Sequence, residues 1–160
     1  MSKNTVSIGG ASGFWGDSVT GPMQLVASGR VDFLVFDYLA ELTMSLLATA
    51  RMKDPSLGYA TDFVSVAMRA VLKDALARNI RIVANAGGVN PRGCAAALQA
   101  LADELGLHVR IAVVEGDDVM SLLPVLCDEG VREWQSGGPL PNKVVKIGRA
   151  SCRERVLVAV

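Results

Sequence analysis

The sequence has little from which the commoner catalytic and metal centres are built. His108 is its only histidine, and its three cysteines, Cys94, Cys127 and Cys152, stand far apart. That spacing excludes zinc knuckles and a disulfide framework. His108 opens an apolar run behind Gly106-Leu107, at the amino edge of any sheet, so a Ser-His-Asp triad is not expected. No apolar run reaches the roughly 18 to 20 residues of a membrane helix. No long apolar stretch follows Lys3, so no secretory signal is expected. Lys plus Arg and Asp plus Glu balance at 16 each, which leaves no basic footprint for nucleic acid. These absences point to a cytoplasmic protein whose partner is a small molecule, not nucleic acid or membrane. No metal site is expected.

What is present is a chain of 160 residues, 51% hydrophobic, with 16 glycines. That suffices for one domain with a real core. Short β-rich runs alternate with helical ones. Strands are expected at Val6–Ile8, Val31–Asp37, Arg81–Ala84 and Val109–Val114, with a fifth beginning within 143–146. Helices are expected at Pro22–Ser28, Leu39–Met52, Thr61–Arg78, Pro91–Leu105 and Asp117–Cys127. Gly29 and Gly106 serve as stops, and Asn90 as a cap before Pro91. In the third helix Phe63, Ala67, Ala70, Val71 and Ala75 share one face. This alternation predicts an α/β fold: a parallel, Rossmann-like sheet with helices on both faces, in three layers. A partial (β/α) barrel is the alternative.

In such folds ligands bind beyond the carboxyl ends of the strands. After the first strand comes a glycine loop with Gly9, Gly10, Ser12, Gly13, Phe14, Trp15, Gly16 and Asp17. Its N–H groups suit an anion, and its aromatics suit a flat or apolar ligand. It matches neither a Walker loop nor G-x-G-x-x-G, and it also reads as a tight turn with two core aromatics. After the second come Asp37, Tyr38 and Glu41, whose carboxylates read as an acid–base pair or as a helix cap. After the third come Asn85, Gly87, Gly88 and Asn90, with amides at a pocket rim and a second helix start. After the fourth stands Glu115, a further candidate carboxylate. Asp37, Glu41 and Glu115 are the catalytic candidates, and the others are ligand-binding candidates. Cys94 and Cys127 read as buried thiols.

The phrases IGGASGFWGDS, FDYLAELTMSLLA and VANAGGVNP, in that order and spacing, resemble the N-terminal part of the acyclic terpene utilisation (AtuA) family. The likeness runs from Val6 to at least Val114. It implies a place in bacterial breakdown of acyclic terpenes such as citronellol and geraniol, a route through alcohols and branched acyl-CoA esters. A CoA ester or terpenoid acid is then the expected substrate class for an enzyme or enzyme component. A homo-oligomer or a partner subunit of a catabolic complex is compatible with it. A non-catalytic binding or assembly module and a nucleotide-cofactor domain are the alternatives. The family's chemistry assigns no residue roles, and its members are longer than this chain.

Ile147 to Val156 reads IGRASCRERV, which resembles a translated sequencing-adapter read-through. The expectation is therefore an N-terminal fragment, 1–146, with a non-native tail, 147–160. Without that tail, which holds three Arg and one Glu, 13 basic and 15 acidic residues remain.

Overall fold

A computed structural model describes residues 5–140 and 157–159. Three parallel strands form its centre: β1 (Ile8–Ser12), β2 (Phe33–Phe36) and β3 (Arg81–Ala84). β4 (Ile111–Val113) and β5 (Leu157–Ala159) complete an open sheet of order β1-β2-β3-β5-β4. β5 runs antiparallel to both its neighbours. The α/β class and the parallel centre agree with the alternation of the sequence. Leu157–Ala159 fall within the segment expected to lie outside the fold and here form part of the sheet. The expected strand at 143–146 and residues 147–156 lie outside the described residues.

Boundaries moved where apolar character and hydrogen bonding part company. β1 starts at Ile8 instead of Val6 and takes in both glycines and Ser12, because β2 lies alongside to pair with them. A register shift between Gly10 and Ser12 sets two β1 residues against one β2 step, so Ala11 and Ser12 are both buried in succession. Gly9 permits the close approach of α1 (Gly21–Ser28), since a Cβ there would lie 2.9 Å from Val31 and 3.2 Å from Leu25. α1 ends where expected, at Gly29 with φ 63°.

The long third helix is not uniform. Phe63–Met68 is a π-helical turn that runs into α3 (Arg69–Ala77). Its buried face holds Phe63, Ala67, Val71 and Ala75 as expected, together with Val64, Met68 and Leu72. Ala70 is exposed, because the π turn alters the helical spacing before it. α4 (Pro91–Glu104) is capped by Asn90, whose side chain accepts from the Gly93 N–H at 3.1 Å. The fifth helical run shortens to a 3-10 turn, Met120–Leu122, and α5 (Leu123–Asp128).

Strand alternation decides which face is covered. Gly9, Ala11, Leu34, Phe36, Ile82 and Ala84 are buried, and α1, the π turn, α3 and α4 pack over that side. The other face carries Ile8, Gly10, Phe33, Val35, Arg81 and Val83, half-buried or exposed. The Arg81 guanidinium lies 5.5 Å over the Phe33 ring there. A helical layer over that face is not among the described residues. α2 (Glu41–Lys53) does not extend the helical layer. It sits at the carboxyl end of the sheet, where Met44, Leu47 and Ala48 pack on Val89, Trp15 and Leu39.

The turn after β3 is fitted closely to α2. Gly88 has φ 50°, and a Cβ on it would lie 2.4 Å from Leu47 Cδ1 and 2.7 Å from the Gly58 carbonyl oxygen. Gly88→Ala is expected to cost roughly 2 kcal/mol in urea unfolding, from αL strain plus a clash with backbone. Gly10→Ala meets nothing within 4 Å and should leave stability level or raise it by up to about 1 kcal/mol. Equal losses at the two positions would contradict the packing described.

Candidate functional site

The carboxyl ends of β1, β2 and β3 meet around one amide. The Tyr38 N–H donates to Asn85 Oδ1 at 2.7 Å, which fixes that atom as oxygen, since a backbone N–H requires an acceptor. Asn85 Nδ2 therefore faces Asp37, and it donates to Asp37 Oδ1 at 2.5 Å. Asn85 is buried, and its own N–H donates to the Phe36 carbonyl at 3.2 Å. The Asp37 N–H donates to the Ser12 carbonyl at 3.0 Å. Ser12, Asp37, Tyr38 and Asn85 are thus joined across three strands. Asp37 is exposed, and its second oxygen makes no hydrogen bond among the described residues.

This geometry removes the helix-cap reading of Asp37. The residue at the N-cap of α2 is Ala40, with no side-chain cap. Asp37 is engaged by Asn85 instead. Glu41 stands exposed in the first turn of α2.

The glycine loop is closed on itself. The Gly13 N–H donates to Asp17 Oδ2 at 2.9 Å and the Ser18 N–H to Asp17 Oδ1 at 2.7 Å. Those two bonds, Gly13's first, hold the Asp17 carboxyl below the usual carboxylate range. The Ser12 hydroxyl donates to the Phe14 carbonyl at 2.8 Å. The loop therefore already carries an anion of its own at a donor that a phosphate would take. Gly16 lines the cleft beneath it. Phe14 is 58% exposed, while Trp15 turns inward and donates from Nε1 to Asp62 Oδ1 at 2.6 Å.

Gly87, Gly88 and Asn90 shape the turn after β3. A Cβ on Gly87 would lie 2.9 Å from Pro91. Asn90 Nδ2 donates to the Leu57 carbonyl at 2.9 Å, with the Ser56 and Pro55 carbonyls at 3.3 and 3.4 Å. Asn90 is thereby a tie between α4 and the 55–57 loop as well as a cap. Arg51 Nη1 donates to the Val89 carbonyl and pins α2 over the same turn.

Glu115 lies apart from the Asp37 group. It accepts from Arg92 Nη2 at 2.6 Å and from Nε at 2.9 Å, in a cleft of about 150 Å³ that Asn90, Arg51 and Asp117 also line. The pairing raises the Arg92 guanidinium further above its already high value.

Asp62 was not apparent in the sequence as a site residue. As Thr61-Asp62 before an apolar run, it reads as the start of a helix, and its partner Trp15 is 47 positions away. Among the described residues, no three His, Cys, Asp or Glu side chains cluster so as to hold a metal, and no helix is long and apolar enough to cross a membrane. Cys94 is buried in α4, which pushes its thiol up to about 12. Cys127 is half-buried. His108 is exposed ahead of β4.

Tyr38 is the most perturbed acid at this edge. Burial, then the charges of Asp62 and Asp17, push its phenol from 10.0 up to about 12. A raised acid favours the folded state while it is protonated. Its contribution is complete below pH 10 and is lost as pH rises toward 12. Tyr59, the other tyrosine, is raised by burial as well. Tyrosinate absorbance should therefore develop above pH 10, and the urea midpoint should fall over that range. Normal titration of both phenols, with a flat urea midpoint, would contradict the burial described.

One family model, described as acyclic terpene utilisation family protein AtuA, matches residues 6–153. The matched span contains the glycine loop, the Asp37–Asn85 junction, Asp62 and the Arg92–Glu115 cleft, and it runs past Lys146. Neither a curated protein nor a solved structure matches the chain. With a match over most of its length, and with the phrases of the three strand-end turns inside it, the chain belongs to the acyclic terpene utilisation family AtuA.

Proposed function

We propose that this chain serves acyclic terpene utilisation as an enzyme or enzyme component that acts on a branched acyl-CoA ester or a terpenoid acid, with Asp37 as proton acceptor. The family carries the coarser role in acyclic terpene utilisation. The observation that supports the finer reading is the Asp37 carboxylate at the end of β2. One of its oxygens is fixed by the buried Asn85 amide, and the other is open to solvent. A base held by one oxygen keeps its direction without losing its capacity to take a proton.

The loop does not favour seating the CoA phosphates, because Asp17 already takes the Gly13 N–H.

Asp37→Asn retains an acceptor for Asn85 and removes the base. In the full protein, consumption of a branched acyl-CoA ester should fall by about a hundredfold or more, with thermal unfolding little changed. Full activity in that variant would overturn the assignment of Asp37.

A further inference from the structure

A second polar site lies on the helix side of the same edge, and its negative charge has no counterpart in its lining. Tyr38 is 6% exposed, its ring packed edge-on against Phe36 and Phe63. Its hydroxyl has no hydrogen-bond partner among the described residues. No side-chain nitrogen or oxygen fully shut off from solvent lacks a partner among those residues, so the Tyr38 hydroxyl keeps contact with open space. That space is a cleft of about 20 Å³, which Tyr38 lines together with Asp17, Ser18, Asp62 and the π turn. It has the room of one water-sized group.

Acceptors dominate this cleft. Asp17 accepts the Gly13 and Ser18 N–H groups, one on each oxygen, and Asp62 Oδ1 accepts the Trp15 indole N–H. A carboxylate offers about four lone-pair sites, so both Asp17 and Asp62 can accept more. The Tyr38 and Ser18 hydroxyl oxygens are acceptors too. No Lys or Arg lines the cleft among the described residues. The charges of Asp62 and Asp17 both reach Tyr38, where they add to burial in raising its phenol. A carboxylate ligand would add a third negative charge. A hydroxyl would leave the existing charge unbalanced. An ammonium group supplies the opposite charge and three donors for the surplus acceptors. A divalent metal would need a larger oxygen shell, and no three His, Cys, Asp or Glu among the described residues cluster to provide one. The rim is apolar, with Val19 and Val66 both lining the cleft and exposed.

We propose that this cleft binds the ammonium group of a primary alkyl amine among Asp17, Asp62 and the Tyr38 oxygen, with the alkyl chain leaving across Val19 and Val66. Such a ligand lies outside the substrate class proposed above and does not depend on it.

The test is isothermal titration of the whole chain in a Trp134→Phe background at about pH 7, where a primary amine is charged. Trp15 emission reports the place of binding through its bond to Asp62. Trp134 is 95% exposed and is the only other tryptophan. Isoamylamine should bind saturably and change that emission. Isoamyl alcohol, isovalerate and isoamyltrimethylammonium, which carries the charge without N–H donors, should each bind at least about tenfold more weakly. KCl at equal ionic strength should give no saturable change. Asp62→Asn keeps an oxygen for Trp15 and removes the charge, and it should weaken the amine about tenfold or more. Tyr38→Phe keeps the ring and removes an acceptor, at a cost of about threefold or more. The proposal is overturned by no saturable binding, by heat without a change at Trp15, by any of the other three ligands binding as well as the amine, by a saturable response to KCl, or by undiminished affinity in either variant. If one variant does not fold, the other and the ligand series decide. None of these readouts requires turnover, so failure of Asp37 as proton acceptor would leave them unaffected.

Discussion

The Asn85 side chain holds the carboxyl edge of the sheet together. Parallel strands hydrogen-bond along their length, but at their carboxyl ends the chain leaves the ladder and its polar groups need new partners. Here one amide satisfies two of them. It accepts the Tyr38 N–H and donates to the Asp37 carboxylate, so the chain leaving β2 is tied to β3. The two consecutive residues are then sent opposite ways. Asp37 stays in solvent, and Tyr38 enters the core beside Phe36 and Phe63. The open carboxylate and the buried phenol both follow from that one junction.

Packing supports the junction from above and below. Trp15 touches both hydrophobic clusters, the large one under the sheet and the small one beneath α2. Its indole N–H reaches Asp62 at the start of the π turn. The turn after β3 is pressed between α2 and the 55–60 segment, where the Val89 N–H donates to the Gly58 carbonyl at 2.9 Å. Loops that would be mobile alone are here tied to helices, which is what a site needs in order to hold a fixed geometry.

Much of the frame was legible because its signals are local. Asn90-Pro91 announces a capped helix start and Gly29 a helix stop, and each stands where the residues indicate. VDFLVFD announces a buried strand, and it holds one at Phe33–Phe36 that is buried on one face. The Asp37 and Asn85 positions were also legible, as polar residues at the ends of apolar runs. Their mutual bond, 48 positions apart, was not, because nothing local encodes it. The same holds for Trp15 with Asp62 and for Arg92 with Glu115, each a tertiary pairing. The π turn escaped as well, since its apolar spacing reads as ordinary helix until the chain is packed. The glycine loop resembles an anion cradle in composition. Its own Asp17, four residues on, takes the donor at Gly13.

Amide hydrogen exchange in Asn85→Ala tests the central junction most directly. The reference is the Asp37 N–H, which bonds to the Ser12 carbonyl within the strand pairing and does not depend on the Asn85 side chain. In the unaltered protein both the Asp37 and Tyr38 amides should exchange slowly. In the variant the Tyr38 amide should become fast while Asp37 stays slow. Slow exchange at Tyr38 in the variant would contradict the account, because the edge would then be held by something other than Asn85.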